Sequence, residues 1–422
     1  MANVIDVLRE RGFIDSVTNE EIRNLSDAPL SVYCGFDPTS DSLHLGNLVS
    51  IMGLAWFQRC GHTPVAIVGG ATGMIGDPSG KSHERNLLDE DALKVNLAGI
   101  TENLKTILDF DAENKPVILN NYDWYKNFPM IDFLRSVGKH FRIGTMLAKD
   151  SVKGRFESEE GMSFTEFSYQ LLQGYDFLHL YREHGVTVQL GGSDQWGNIT
   201  AGTDLVRKVT GDSVSGVTFP LLTRSDGKKF GKSEKGAIWL SSDKLSPYEF
   251  YQYLIRITDE DVIKLMRMLT FMEMDEIRHY EKLMQEASYI PNTAQKRLAE
   301  EVTRLVHGEE GLSRAVKATK GAAPGSDTKL DAETLEMIAS DMPSKNLQKD
   351  DVIGSTVVEV IVKAEIQPSK GAAKRMVEGG GVYLNNKKVA DVRTSIEEAD
   401  LIEGRLLLLA VGKKNKVLIR LQ

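Results

Sequence analysis

The first 223 residues alternate between short apolar runs and longer segments in which apolar residues recur at helical spacing. The runs predict strands, and helical segments follow the first four of them. The predicted strands are Leu30–Phe36, Pro64–Val68, Val117–Leu119, Val186–Leu190 and Val217–Leu222. This alternation predicts an α/β, Rossmann-like domain over residues 1–223, with a parallel sheet covered by helices. Ligands of such sheets bind beyond the carboxyl ends of the strands.

The pattern changes twice further along the chain. Residues 224–320 begin with a basic loop and continue with helical periodicity from Pro247 to Lys317, which predicts an α-helical domain. Gly, Pro and Ser then interrupt the periodicity, so residues 321–351 are predicted to be a linker. Residues 352–422 combine a short helix with turn-separated strands and predict a small α+β domain.

Composition and charge narrow the class of protein. The chain has 422 residues, 41% of them hydrophobic, with only two cysteines and no CxxC pair, which argues against a disulfide scaffold or a zinc ribbon. No apolar run reaches membrane-spanning length, and the N-terminus lacks a signal peptide's apolar core, so we expect a cytoplasmic protein without a membrane partner. Residues 352–422 carry 12 basic and 8 acidic side chains, whereas the whole chain has a net charge of −9. A basic tail on an acidic body suggests either a nucleic-acid contact or simply a basic solvated surface.

Three junctions between elements concentrate polar chemistry. The stretch "YCGFDPTSDSLHLGN" (33–47) leads from a strand into the helix predicted at Leu45–Cys60, whose unpaired N–H groups suit a phosphate. "GGATGMIGDPSGKSHER" (69–85) is glycine-rich but has neither dinucleotide-binding nor P-loop spacing. "DGKKFGKSEKG" (226–236) has four lysines and three glycines, which suits either a loop that closes on polyphosphate or a solvated basic loop.

Two helix starts add candidate residues. In "VQLGGSDQWGN" (188–198), Asp194 is placed to cap the following helix, and its carboxylate could instead accept from ribose hydroxyls. Ser163 and Glu166 form a candidate capping box at the start of "SFTEFSYQLLQGYDF". That helix places Tyr169, Gln173 and Asp176 on one face, at i, i+4 and i+7. The polar stripe either faces water or binds a ligand.

The motifs together resemble a known family. "HLGN" (44–47) and "KFGKS" (229–233) resemble the HIGH and KMSKS signatures of class I aminoacyl-tRNA synthetases. With "YCGFDPT", "GGATGMIGDPSGK", "SFTEFSYQLLQGYDF" and "GGSDQWGN" in register, the whole chain resembles the bacterial tyrosyl-tRNA synthetases. Asn47 replaces the second signature histidine of many members, and Phe230-Gly231 replaces Met-Ser, so we expect altered strength rather than lost function.

The resemblance implies two-step catalysis, in which tyrosine reacts with ATP and is then transferred to the 3′ end of tRNA(Tyr). Magnesium is expected to arrive with ATP rather than in a protein metal site. The resemblance implies catalytic roles for Thr39, His44, Asn47, Lys81, Arg85, Lys229, Lys232 and Ser233. It implies tyrosine binding by Tyr33, Asp77, Tyr169, Gln173, Asp176 and Gln195. It implies ATP binding by Gly35, Asp37, His44, Gly46, Asn47, Gly192, Asp194 and Lys232.

Within this assignment, Tyr33 and Asp176 would hold the substrate phenol, while Tyr169, Gln173 and Asp77 would hold the ammonium. The C-terminal segment resembles a small RNA-binding domain shared with a ribosomal small-subunit protein. Its expected phosphate contacts are Lys370, Lys374, Arg375, Lys387 and Lys388. The aromatic-rich segment 121–141 lies at the subunit interface in the family, which implies a homodimer, although such a segment could equally be core. A tryptophanyl-tRNA synthetase and a non-catalytic, synthetase-derived RNA-binding factor remain alternatives.

Overall fold

The chain folds into two compact units. The computed structural model describes residues 2–79, 90–156, 161–227, 230–233, 236–340, 342–412 and 415–422. The first unit comprises residues 1–244 and 257–306, and the second comprises 245–256 and 307–422. The boundaries of these two units differ from the predicted domain boundaries.

A six-stranded sheet organises the first unit. The spatial order of its strands is β1-β6-β5-β2-β3-β4, and all neighbours are parallel except β1, which is antiparallel to β6. The strands are β1 Ser16–Val17, β2 Ser31–Phe36, β3 Thr63–Val68, β4 Val117–Asn120, β5 Val186–Gly192 and β6 Ser215–Phe219. The five predicted strands are therefore confirmed as β2 to β6, and the predicted α/β fold class is confirmed. The last strand ends at Phe219 because Pro220 cannot donate to the ladder.

The strand order reverses direction between β2 and β5, so the carboxyl ends of these two strands border a crevice. A buried apolar cluster below it joins the sheet to the helix that carries the polar stripe, through residues such as Tyr33, Val65 and Phe177. After the large sheet, β7 Lys232–Ser233 and β8 Gly236–Ala237 form a separate two-stranded antiparallel ribbon.

Helices surround the sheet and form most of the rest of the first unit. Those before residue 220 are α1 Val4–Glu10, α2 Ile22–Leu25, α3 Leu45–Arg59, α4 Thr72–Ile75, α5 Glu90–Ile107, α6 Tyr122–Tyr125, α7 Met130–Ser136, α8 Ile143–Leu147, α9 Asp150–Phe156, α10 Phe164–His184 and α11 Trp196–Thr210. The predicted helical region follows as α12 Pro247–Ile255, α13 Asp259–Leu269, α14 Met274–Leu283 and α15 Thr293–Gly321. Of these, α12 and the part of α15 after residue 306 belong to the second unit. Helix α15 is broken at Gly308, whose φ of 69° lies outside the helical region.

Two expectations about helix starts need correction. The helix after β5 begins at Trp196 and its N-cap residue is Gln195, whose side chain makes no capping bond, so Asp194 is not the N-cap. Asp194 lies instead in the one-turn 3₁₀ helix Ser193–Gln195. At the start of α10 only half of the predicted capping box forms: Ser163 Oγ accepts from the Glu166 N–H at 3.1 Å, while the Glu166 carboxylate pairs with Arg155.

The second unit contains a five-stranded sheet of order β11-β10-β12-β13-β9. Its strands are β9 Ser344–Leu347, β10 Val382–Leu384, β11 Lys387–Lys388, β12 Leu406–Val411 and β13 Asn415–Leu421. Its helices are α16 Ala332–Ala339, α17 Lys349–Val352, α18 Val357–Lys363 and α19 Lys370–Glu378. The small α+β domain predicted for the C-terminus is confirmed.

The segment predicted as a linker is structured. Helix α16 lies within it, and β9 pairs in parallel with β13 of the C-terminal sheet. One face of α16 packs on that sheet through Leu335, and Ile338 packs with Tyr248 of α12 and Ala318 of α15. The Gly- and Pro-rich composition therefore marks only the turn at the start of the segment. Among the described residues, no helix is long and apolar enough to cross a membrane.

Candidate active site

The start of α3 lies beyond the carboxyl end of β2 and carries the "HLGN" residues. His44 is the N-cap, and its Nδ1 accepts a hydrogen bond from the Gly46 N–H at 3.1 Å. Asn47 completes a capping box, because its side-chain oxygen accepts from the His44 N–H at 3.1 Å. A Cβ on Gly46 would lie 2.9 Å from His44 Cε1, so glycine is needed for the approach of the imidazole ring itself. The predicted histidine and asparagine therefore both build the helix terminus.

The "KFGKS" segment contacts this helix start directly. A Cβ on Gly231 would lie 2.8 Å from the Gly46 nitrogen, and Gly231 has a φ of +80°. The residues that follow this segment, 238–241, pair with the loop that precedes α3. The Leu45 N–H donates to the Ile238 carbonyl at 2.7 Å, and the Leu240 N–H donates to the Leu43 carbonyl at 2.9 Å. The two signature segments, separated by about 180 residues in sequence, thus form one surface.

A chain of hydrogen bonds connects the end of β2 with α10. Tyr169 Oη donates to one carboxylate oxygen of Asp37 at 2.8 Å, and Thr72 Oγ1 donates to the other at 2.8 Å. Asn121 Nδ2 then donates to Thr72 Oγ1 at 3.0 Å and to Asp176 Oδ2 at 3.1 Å. Asp37, Tyr169 and Asp176 were predicted from the sequence. Thr72 and Asn121 were missed, because only the fold brings them between the predicted carboxylates.

The buried carboxylate of Asp176 accepts hydrogen bonds from more than one side chain. Besides Asn121, Trp124 Nε1 donates to Asp176 Oδ1 at 2.9 Å. Burial raises the pKa of Asp176 to about 7, although the hydrogen bonds from Asn121 and Trp124 oppose this shift. The structure thus buries the polar stripe of α10 instead of exposing it to water, since Tyr169 is buried as well.

Several buried polar atoms lack a partner among the described residues. They include Tyr33 Oη, Gln173 Oε1 and Gln189 Oε1. Tyr33 and Gln189 are register partners on the adjacent strands β2 and β5, and the Tyr33 ring packs edge-on against Phe177 of α10 at 5.1 Å. Burial, followed by the Asp176 charge, raises the pKa of Tyr33 well above its ordinary value. Because buried polar groups are normally paired, these atoms favour a polar ligand.

The remaining predicted tyrosine-site residues form a second cluster. Gln195 Nε2 donates to Asp77 Oδ2 at 2.7 Å, and the buried Asp77 also accepts from the Ser79 N–H at 3.0 Å. Asp194 lies close to Gly192, since a Cβ there would be 2.6 Å from Asp194 Oδ1. Asp77, Gln195, Asp194 and Gly192 are therefore near one another at the carboxyl end of β5.

The remaining residues predicted for the active site are either exposed or lie outside the described part of the chain. Gly35 and Thr39 are exposed at the end of β2 and in the loop after it, and Lys232 is exposed in β7. Lys81, Arg85 and Lys229 lie outside the described residues, as does the side chain of Ser233. Within the described part of the chain, no group of three or more His, Cys, Asp or Glu side chains could hold a metal ion.

The five predicted RNA-contacting residues are all exposed in the second unit. Lys370, Lys374 and Arg375 lie on α19, and Lys387 and Lys388 form β11. A Cβ on Gly380 would lie 2.6 Å from Lys388 Nζ, which places this lysine beside the end of α19. The hairpin therefore lies next to the helix that carries the other three basic groups.

Comparison with known proteins identifies the class to which this protein belongs. Residues 25–322 match the family of tRNA synthetases class I (W and Y), and residues 334–419 match the Tyrosine--tRNA ligase SYY-like C-terminal domain. With most of its length matched, the chain belongs to the class I tRNA synthetases, in the group that contains the tyrosine--tRNA ligases.

Individual relatives identify the amino acid. The Tyrosine--tRNA ligase of Protochlamydia amoebophila is 67% identical over 422 residues, which cover 100% of this chain and 99% of that protein. The chloroplastic/mitochondrial Tyrosine--tRNA ligase of Arabidopsis thaliana is 56% identical, over 99% of this chain and 84% of that protein. The crystal structure of a C-terminally truncated Aspergillus nidulans mitochondrial tyrosyl-tRNA synthetase has a TM-score of 0.66 at 32% identity, over 75% of this chain and 92% of that one. The predicted function, a tyrosine--tRNA ligase rather than a tryptophanyl enzyme, is confirmed.

Proposed function

We propose that the crevice between β2 and β5 binds tyrosine and that the start of α3 binds ATP. The observation that carries the tyrosine site is the buried Tyr33 Oη, which has no partner among the described residues and lies near the buried Asp176. A substrate phenol would donate to the Asp176 carboxylate and accept from the Tyr33 hydroxyl. A tryptophan indole offers a donor only, so it would leave the Tyr33 hydroxyl unpaired.

The ammonium and carboxylate of the substrate would meet the other predicted groups. Because Tyr169 donates its proton to Asp37, its oxygen would act as an acceptor toward the substrate ammonium. Gln173 Oε1 is a buried acceptor without a partner among the described residues, which supports the same role. Asp77 would add negative charge near the ammonium, and Gln195, bonded to Asp77, would lie near the substrate carboxylate.

In the proposed first step, the tyrosine carboxylate attacks the α-phosphorus of ATP. A bond forms between a carboxylate oxygen and phosphorus, and the bond from phosphorus to the bridging oxygen breaks, releasing pyrophosphate. Thr39, His44, Asn47 and the α3 N–H groups would stabilise charge on the phosphates. Lys81, Arg85, Lys229 and Lys232 would supply cations with Ser233 from the flanking loops, and magnesium would enter bound to ATP.

ATP would lie along the surface that α3 shares with the "KFGKS" segment. Gly35, Asp37 and Gly46 would border it on the β2 side, and Gly192 would let it approach the end of β5. Asp194 would accept from the ribose hydroxyls of the adenylate. In the second step, a hydroxyl of the 3′-terminal ribose of tRNA attacks the tyrosyl carbonyl, and AMP leaves.

Pyrophosphate exchange tests this assignment. The purified protein should exchange labelled pyrophosphate into ATP with tyrosine and without tRNA, whereas the other amino acids should support little exchange. Lys232→Ala should lower kcat far more than it changes the KM for tyrosine, because the lysine acts on charge that develops in the transition state. Lys264→Ala, which removes an exposed lysine of α13, is the control. Exchange that is equal in the two variants would remove Lys232 from the catalytic set.

The second unit would hold tRNA through the basic groups of α19 and β11. Their exposure and proximity support contacts to phosphates, which fix affinity and register rather than sequence. We expect tRNA binding by this surface to weaken as salt rises. A location in the cytoplasm, where tRNA is charged, remains part of this proposal.

A homodimer is the proposed assembly. Among the described residues, six of the thirteen exposed large apolar side chains fall between residues 130 and 164. They are Met130, Ile131, Leu134, Ile143, Phe156 and Phe164. Such a concentration is typical of an interaction surface. Replacing Ile131 and Ile143 by Asp should convert a dimer to monomers in sedimentation experiments, and a wild-type chain that sediments as a monomer would contradict the proposal.

A further inference from the structure

Helix α5 presents a stripe of three residues to the loop that precedes the α3 signature. Asn96, Gly99 and Asn103 are spaced i, i+3 and i+7, so they share one helix face. Asn96 Nδ2 donates to the Pro38 carbonyl at 2.8 Å. Asn103 Oδ1 accepts from the Leu43 N–H at 2.7 Å. Both asparagines are buried, so neither bond is open to replacement by bulk water.

Gly99 brings the helix backbone against the same loop. A Cβ at this position would overlap the carbonyl group of Asp41, a backbone group that cannot rotate away as a side chain can. Glycine inside a helix is unfavourable relative to alanine, so its presence in the middle of α5 requires a reason. The close approach of Asp41 supplies that reason.

The three contacts fix the loop at its start, middle and end. Thr39 follows directly after the residue held by Asn96, and His44 follows directly after the residue held by Asn103. On its other side, the loop's bonds to described residues go to the 238–241 segment and to Lys244, whose ammonium pairs with Asp41. Helix α5 therefore supplies the buried support for the two residues that the proposed mechanism places at the ATP phosphates.

We propose that Asn96, Gly99 and Asn103 are positioning residues for ATP, acting through the backbone of residues 38–43. This inference rests on the proposed role of Thr39 and His44. A displacement of about 1 Å in a catalytic group costs on the order of 100-fold in rate, so a shifted loop should be detectable. Tyrosine binding should be spared, because none of the three residues bonds to Tyr33, Gln173 or Asp176.

The test compares variants of the stripe in tyrosine-dependent pyrophosphate exchange. Gly99→Ala forces the helix away from Asp41, and Asn103→Leu leaves the Leu43 N–H unpaired. We expect each to lower kcat/KM for ATP by about tenfold or more, with the tyrosine dissociation constant within about twofold of the parent. Asn103→Asp keeps an acceptor oxygen for Leu43 and should retain most of the parental value. Ile100→Val, a small change at a buried neighbour in the same helix that leaves all three contacts in place, is the control.

The outcomes separate the inference from the function on which it rests. A parent protein without tyrosine-dependent exchange overturns both. A normal parent with stripe variants that match Ile100→Val overturns the positioning role alone, as does an equal loss of tyrosine affinity. Should Gly99→Ala fail to fold, the contrast between Asn103→Leu and Asn103→Asp decides the question by itself.

Discussion

Asp176 shows how a single carboxyl group is balanced between two protonation states. Burial favours the neutral acid, whereas Asn121 and Trp124 donate to the carboxylate and favour the ion. Nearby Asp37 adds a smaller effect in the same direction as burial. The resulting pKa of about 7 lies close to neutral pH. Tyrosine recognition should therefore depend on pH.

We expect kcat/KM for tyrosine to rise with pH between 6 and 8. In the free protein Asp176, with a pKa of about 7, is mainly protonated at the lower pH and mainly ionised at the higher, and only the ion is a pure acceptor for the phenol. The rise should be about tenfold if the acid form does not bind. The measurement is the pH profile of tyrosine-dependent exchange. A flat profile, or the same profile in Asp176→Asn, would rule out this titration.

The same shift affects stability with a definite sign. The folded-state pKa of about 7 exceeds the ordinary value of 3.8, so the folded protein holds a proton that the unfolded chain has lost at intermediate pH. The contribution of Asp176 to the free energy of unfolding is therefore greatest below pH 4 and decreases as pH rises to 7. Relative to the parent, Asp176→Asn should gain stability over that range in denaturant titrations. A constant difference would show that Asp176 is ionised throughout.

Tyr33→Phe should change specificity without loss of stability. The hydroxyl is buried and has no partner among the described residues, so its removal eliminates an unsatisfied group. A lost hydrogen bond to the substrate phenol should reduce the preference for tyrosine over phenylalanine by about tenfold. Asp176→Asn should reduce it more, because hydrogen bonds to charged groups are stronger. The ratio of kcat/KM values for the two amino acids gives the result, and a parental ratio in both variants would exclude this phenol site.

At the scale of elements, the start of α3 and the ribbon β7–β8 depend on each other. Gly231 adopts a left-handed conformation and packs its Cα side against the Gly46 nitrogen, and Ile238 bonds to both Gly231 and Leu45 through the backbone. No side chain can occupy this contact. Glycine is therefore required at Gly231 for both space and conformation, whereas at Gly46 it leaves room for the His44 ring.

Gly231→Ala should therefore separate the two signature segments. The added methyl group would lie 2.8 Å from the Gly46 nitrogen, so we expect the exchange rate to fall by at least about tenfold with tyrosine binding unchanged. Gly227→Ala is a matched control, since Gly227 has a similar φ of +79° but no atom of the described residues lies within 4 Å of the position that its new methyl group would take. Equal losses in the two variants would attribute the effect to backbone strain alone.

At the scale of the whole molecule, the C-terminal region is joined to α12 and α15 by a shared core. Ile338 of α16 packs with Tyr248 and Ala318, and Asn386 donates to the Gly321 carbonyl at the end of α15 at 2.7 Å. Truncation before α16 would therefore expose apolar side chains as well as remove the basic surface. A flexible linker could be truncated without affecting the rest of the fold, whereas truncation within this folded segment removes part of the core.

Two truncations should separate these effects. A chain ending at Lys320 and one ending at Ser340 both lack α19 and β11, so both should form adenylate but charge tRNA poorly. Only the shorter chain loses Ile338 from the core, and it should be less stable by about 2 kcal/mol or more. Aminoacylation and thermal unfolding are the two measurements. Full charging by either chain would show that the basic surface is dispensable.

The local features of this protein could be predicted from its residues alone. The five strands β2 to β6, the helices between them and the order of the signature segments follow from periodicity and from residue types that act within a few positions of one another. The helix face that carries Tyr169, Gln173 and Asp176 was equally visible, because helical spacing alone places these residues together.

The direction in which that face points, and the residues that contact it, depend on how the elements pack. Burial of the stripe, the convergence of Asn121 and Trp124 on Asp176, and the support of residues 38–43 by α5 all join segments that are distant in sequence. The linker was misjudged for the same reason, since β9 becomes a strand by pairing with β13. Hydrogen-bond partners and buried faces depend on how elements pack, and one-dimensional spacing does not contain that information.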